Sequence, residues 1–181
     1  MPMQAGVYRL GPDNARLAVK TGRTGAVAKA GHDLLIHVTV WDGQLEVGEE
    51  PGRSAVTLTA DSGSLRVQEG TGGMQALDDG DKANIDQTIV DEILRGIAIE
   101  FRSTEVETVD GGRLRVQGDL TLGDRRNPIA FELAVEDDGR FSGSAAVKQT
   151  DWGMKPYSAL FGALKVADEV VVVVSGHLPA P

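Results

Sequence analysis

Cysteine is absent from the 181 residues, which removes disulfides, thiolate nucleophiles and thiolate metal ligands together. A chain of this length can build a core without such staples, and residues 1–181 fit a single domain. Aromatic side chains are scarce, at four Phe, two Trp and two Tyr. Long apolar runs are missing as well, so no stable membrane insertion by a spanning helix is expected. Met1–Leu10 has no basic stretch followed by an apolar one, which predicts a cytoplasmic protein. Positive charge is in deficit: 18 Lys and Arg face 27 Asp and Glu, for a net charge of −9. No local Lys/Arg cluster offsets that field, which repels phosphate backbones and excludes nucleic acid as a partner.

What is present is period-two alternation, the mark of strands that show one face to a core and the other to water. In Arg113–Leu122, Leu114, Val116, Leu120 and Leu122 share one face, with Arg113, Arg115, Gln117 and Asp119 on the other. Ile129, Phe131, Leu133 and Val135 form the next apolar face, and the link 123–128, rich in turn formers, makes the two runs a hairpin. Further strands are expected near Ala15–Thr21, Leu34–Val47, Ser54–Ala60, Ile97–Val109, Phe141–Thr150 and Glu169–Leu178, with a short piece around Val7–Leu10. Short turns make neighbours antiparallel, and about eight strands can hide their edges by curling into an extended barrel. The fold class is therefore all-β, a mainly antiparallel barrel with one or two short helices.

Asp81–Arg95 departs from the alternation. Ile85, Ile89 and Ile93 recur at four-residue spacing, acids stand near the start and Arg95 near the end, which predicts a helix covering a barrel mouth or an outer wall. A second short helix is expected around Tyr157–Leu164, with Pro156 suited to its first turn. The stretch 63–80 reads as a mobile, glycine-rich loop.

A small barrel either fills its middle with bulky side chains or keeps a ligand space. Here the candidate inner faces lean small: Ala15, Leu17 and Val19 on one strand, and Phe141, Gly143, Ala145 and Val147 on another. That pattern predicts an aliphatic cavity selecting a long-chain apolar small molecule by burial, at roughly 25 cal/mol per Å². The candidate ligand-binding residues are Leu17, Val19, His32, Leu34, Ile36, Phe101, Leu120, Phe131, Phe141, Trp152, Tyr157, Leu160 and Phe161. Phe101, Leu120, Phe131 and Phe141 supply apolar wall, while Trp152 and Phe161 guard an end. The group Trp152, Met154, Tyr157, Leu160 and Phe161 can equally be read as a lid or as a plug of ordinary core.

Catalytic constellations are weak. His32 and His37 are an odd number of residues apart and point to opposite faces of a regular strand, and His177 is remote, so a three-histidine metal site is not expected. No nucleophile elbow, Walker loop or EF-hand order of ligands occurs. Paired acids such as Glu49-Glu50 and Asp137-Asp138 sit beside glycine or proline, as solvated turns do. His32 beside Asp33 is the most functional-looking pair, suited either to a polar headgroup at the barrel mouth or to a stabilised turn. No cofactor is expected.

Taken in order, Val7-Tyr-Arg-Leu-Gly-Pro-Asp13, Glu100-Phe-Arg-Ser-Thr-Glu-Val106, Val116-Gln-Gly-Asp-Leu-Thr-Leu122 with Pro128-Ile129, and Thr150-Asp-Trp-Gly-Met154 ahead of a valine-rich closing strand resemble the YceI family along nearly the whole chain. The resemblance implies a lipocalin-like barrel that binds polyisoprenoid or similar lipids in its pore without catalysis. The chain departs from the family in having Asp81-Lys-Ala-Asn84 where an Arg-Asp pair is common, and Arg95-Gly96 where Tyr-Pro is common. The leading expectation is a non-enzymatic carrier or store for a polyisoprenoid, isoprenoid quinone or fatty-acid-like lipid. The alternatives are a packed, stress-associated interaction module docking through Asp81–Arg95, and an enzyme centred on His32 and Asp33. Dimerisation along an uncovered strand is allowed by the pattern.

Overall fold

A computed structural model describes residues 3–50, 52–73, 75–159 and 164–180. The strands are β1 (Gly6–Leu10), β2 (Ala15–Lys20), β3 (Arg23–Thr24), β4 (Asp33–Val38), β5 (Trp41–Val47), β6 (Ala55–Asp61) and β7 (Leu65–Thr71). After helix α1 (Asp79–Thr88) come β8 (Ala98–Asp110), β9 (Arg113–Leu122), β10 (Arg125–Val135), β11 (Arg140–Lys148), β12 (Ser158–Ala159), β13 (Leu164–Val166) and β14 (Glu169–His177). Eleven of them form one antiparallel sheet in the order β1-β5-β6-β8-β9-β10-β11-β14-β2-β4-β7, and β12-β13-β3 make a small second sheet. The large sheet curls strongly, as a half-barrel, because consecutive twisted strands rotate in one sense.

The all-β class and the antiparallel pairing hold, but the strand number is eleven, not about eight. The run Leu34–Val47 is two strands. Leu34, Ile36 and Val38 carry the apolar face on even positions and Trp41, Gly43 and Leu45 on odd ones, and the chain turns at Thr39-Val40, where the phase slips. Both amides of that turn are taken from the η-turn Ser62–Ser64: Thr39 N–H donates to Ser64 O, and Val40 N–H to Ser64 Oγ. The stretch 63–80 is not a continuous loop either, since β7 occupies part of it and pairs with β4 along Leu65–Thr71. The piece around Val7–Leu10 is an independent strand, paired with β5. Among the described residues no ladder joins β1 to β7, so strand pairing leaves the ring open.

The β9–β10 hairpin is tighter than the sequence suggested. Leu122 pairs with Arg125 across Gly123-Asp124, and Pro128 lies inside β10 opposite Asp119. A strand interior tolerates proline there because β11 pairs with β10 only along Glu132–Val135, so Pro128 needs no N–H on that side.

α1 starts at a capping box, in which the Asp78 carboxylate accepts from Asp81 N–H and the Asp81 carboxylate from Asp78 N–H. It continues as a π-helical turn over Ile89–Leu94 and stops at Arg95 in the left-handed conformation. The helix stands against the free edge of β7, where the Asp86 carboxylate accepts from the Val67 N–H at 2.6 Å. The second expected helix is not formed over Ser158–Ala159 and Leu164–Val166. These are antiparallel strands, with Lys165 and Val166 paired to Thr24 and Arg23 of β3, so tertiary pairing overrides local propensity.

Two apolar clusters support the sheet. One gathers Tyr8, Leu45, Val106, Leu114, Val116 and Leu178 with Phe101, Leu133 and Phe141. The other gathers Leu17, Ile36, Val38, Trp41, Leu65 and Val67 with Ile89 and Leu94 of the π turn.

Candidate functional site

A cavity of about 650 Å³ lies on the concave side of the sheet, bordered by both clusters. That size is within the roughly 300–1,000 Å³ usual for small-molecule sites. Its walls follow from strand alternation. Leu17 and Val19 of β2 and Leu34 and Ile36 of β4 line one side. Phe101, Leu120, Phe131 and Phe141, one each from β8 to β11, line another. The rings of Phe101 and Phe131 meet at 5.5 Å between centroids with their planes tilted by 57°, an edge-biased contact favoured by the ring quadrupoles. Small residues keep the space open: Gly143 and Ala145 of β11 lie on the same wall.

The helix completes the lining. Ile85, Ile89 and Ile93 all face the cavity, as does Leu94. In a pure α-helix each four-residue step overshoots a turn by about 40°. The π turn over Ile89–Leu94 winds more loosely and corrects the drift, and it superposes residues five apart, which brings Ile89 and Leu94 onto one face. The isoleucine stripe is thus spent on the interior rather than on an outer docking face.

Polar groups reach the wall from the small sheet and its surroundings. Tyr157 and Lys165 are solvent-exposed and also line the cavity, so the cavity opens here. Arg23 and His32 share this rim, but neither is loose. The Arg23 guanidinium pairs with the Asp33 carboxylate at 3.0 Å and donates to the carbonyls of Ala28 and Gly31, clamping the turn before β4. The His32 ring is paired through Nε2 with the Gln75 carbonyl. His32 and Asp33, the pair singled out in the sequence, therefore serve different partners, each tying down the rim. Just past β7 the chain approaches closely enough to require glycine: Gly72 and Gly73 have φ of +75° and +73°, and a Cβ on Gly73 would fall 2.5 Å from His32 Nε2.

Trp152 is not on the cavity wall. It is buried, and its indole N–H donates to the Leu120 carbonyl at 2.9 Å, filling the space beside β10 that β11 leaves unpaired. Leu160 and Phe161 lie outside the described residues. His37 faces away from the cavity, and His177 packs under Gly139 at the β11–β14 end. Among the described residues no group of three metal-capable side chains comes together, and no helix is long and apolar enough to cross a membrane.

Sequence reasoning missed several wall residues: Leu10, Trp41, Leu58, Leu65 and the helix isoleucines. Alternation in β5 and β6 carried a signal for Trp41 and Leu58, whereas Leu65 and the helix needed the three-dimensional closure.

The model of the YceI-like domain matches residues 8–178. The crystal structure of Burkholderia cenocepacia BcnA superposes with a TM-score of 0.64 over 92% of this chain and 96% of that one, at 17% sequence identity. At that identity the likeness speaks for the fold. No curated protein matches the chain in sequence.

Proposed function

This chain belongs to the YceI-like domain family, and from that premise we propose that it binds a long apolar ligand, of polyisoprenoid or similar aliphatic kind, inside the curled sheet, as a carrier or store and without catalysis. The observation that carries the reading is the cavity of about 650 Å³ whose walls are predominantly apolar, with Leu, Ile, Val and Phe the commonest lining residues. Such walls offer few directional contacts, so affinity accumulates through burial, at about 0.8 kcal/mol for each methylene removed from water. The rim of Arg23, His32, Tyr157 and Lys165 gives a ligand somewhere to enter and leave, while the far walls stay dry.

Native mass spectrometry of the purified protein, followed by solvent extraction, tests this directly. The expected result is a co-purifying lipid, or tryptophan fluorescence that responds saturably to an added polyprenol. A protein that carries nothing and ignores polyprenols overturns the reading. The packed interaction module has less support, because it needs a filled interior and an outward isoleucine stripe, whereas Ile85, Ile89 and Ile93 line open space.

A further inference from the structure

Of the 27 Asp and Glu in the chain, none is among the described residues that line the cavity, whereas Arg23 and Lys165 are. The formal charges on the wall are therefore all positive, in a molecule whose net charge is −9. Exposed charges more than about 8 Å apart are largely screened at physiological salt. The local sign, rather than the total, governs what the opening accepts.

Register in the small sheet shows how that charge is presented. Val166 pairs with Arg23 on one side and donates its N–H to the Tyr157 carbonyl on the other. Tyr157, just ahead of β12, thus forms one row with Val166 and Arg23, with side chains on a common face. All three line the cavity. The neighbouring row, Ser158, Lys165 and Thr24, has the opposite parity, so Lys165 adds its charge at the opening without turning its ammonium inward.

Both polar members of the inner row have donors to spare. Three of the five guanidinium donors of Arg23 are taken, Nε by Asp33 and Nη1 by the carbonyls of Ala28 and Gly31. Nη2 has no acceptor among the described residues, and space remains beside it because Gly72 has no side chain: a Cβ there would fall 2.5 Å from Nη2. The Tyr157 hydroxyl also has no partner among the described residues. Both groups are reachable, since Tyr157 is 42% exposed and the Arg23 side chain 23%.

Spare donors backed by positive charge call for an acceptor that is itself negative. Asp33, which balances Arg23, has the outer parity of β4, one residue before the wall residue Leu34. With Lys165 the opening keeps one positive charge in excess. A monoanion matches that excess, and a dianion overshoots it in an acidic molecule. We infer that the ligand ends in a carboxylate, held at the small sheet by Arg23 Nη2 and the Tyr157 hydroxyl while its aliphatic chain runs into the cavity. This rests on the apolar-ligand reading above and adds the chemistry of the head. Charge-assisted hydrogen bonds are about twice as strong as neutral ones, so the head selects among chains of equal length.

Laurate, 1-dodecanol and dodecyl phosphate share one alkyl chain and differ in the head. Titrated calorimetrically into wild type, laurate is expected to bind about tenfold more tightly than dodecanol, and more tightly than dodecyl phosphate. Arg23→Gln is expected to abolish the advantage over dodecanol while leaving dodecanol within about twofold. Laurate labelled with 13C at its carboxyl and bound to wild type should keep the signal of the ionised form from about pH 8 to about pH 5.5, because neighbouring donors and cations favour the carboxylate. Dodecanol binding as tightly as laurate, equal losses for both in Arg23→Gln, or a carboxyl that takes up its proton within that range overturns the proposal while the cavity reading stands. Dodecyl phosphate binding as tightly as laurate overturns the carboxylate assignment. Failure of all three to bind wild type removes the cavity reading and this proposal together. Arg23 also clamps the turn before β4, so should Arg23→Gln not fold, the three wild-type affinities and the carboxyl signal decide.

Discussion

His37 sits on the convex face of β4, opposite Ala18 of β2 and Arg66 of β7. Its Nε2 is closed off from solvent and has no partner among the described residues. Burial, and then the charge of Arg16, hold its pKa below the ordinary 6.5. The unfolded chain therefore takes up a proton at about 6.5 while the folded one resists it, so below that pH the unfolded state binds more protons and stability declines. Urea unfolding followed on either side of pH 6.5 should show this loss toward acid, and His37→Phe should flatten it. An unchanged slope in the variant would assign the acid sensitivity elsewhere. Trp152 is the opposite case, a buried donor that is satisfied. Trp152→Phe should cost about 1–3 kcal/mol, because the Leu120 carbonyl is left without its donor in a closed space. The same denaturation measurement checks it, and a neutral result would mean that water reaches Leu120.

β7 and α1 depend on each other. As an edge strand, β7 exposes backbone donors that invite pairing with other chains. Asp86 answers one of them by accepting from Val67 N–H, which ties the helix to the sheet. Asp86→Ala should destabilise the protein by about 1.5–3 kcal/mol, the range for hydrogen bonds to charged groups. Hydrogen exchange at the Val67 amide should rise more than at Leu114 in the middle of the sheet, and uniform exchange would refute a local tie. This interdependence also explains which elements were legible from sequence. The helix was readable because three isoleucines and an acidic start are local signals, and so were β9 and β10, whose alternation is long. β7 was not, since Leu65 and Val67 are its whole apolar face and glycines crowd it. The strands around Tyr157–Leu164 were misread as helix because their partner, β3, is more than a hundred residues away in sequence. The break between β4 and β5 was written in the shift from even to odd apolar positions, a signal that averaging over one long run conceals.

At the scale of the molecule, the cavity exists because eleven strands curl around more space than their inner side chains fill. Alternation alone named the strand walls, Leu17, Val19, Phe101, Leu120, Phe131 and Phe141, since each strand's inner face is fixed by parity. It could not name Leu65, which joins the wall only through the pairing of β7 with β4, and Trp41 was concealed because β4 and β5 were read as one strand. The shape of the space makes a quantitative demand on binding. While a linear aliphatic chain still fits, each added methylene should tighten binding about fourfold, from about 0.8 kcal/mol per group. Beyond the length that fills the cavity the gain must stop, since further carbons remain in water at the rim. Competition titrations with a homologous series of n-alcohols should therefore give a steep limb and a plateau. Ala145 lies on the wall in β11, and Ala145→Phe adds bulk to the interior without touching the rim, so it should move the plateau to shorter chains while leaving the steep limb parallel. A series that rises without a break, or a plateau that ignores Ala145→Phe, would mean that the chains lie on an outer surface instead of within the curled sheet.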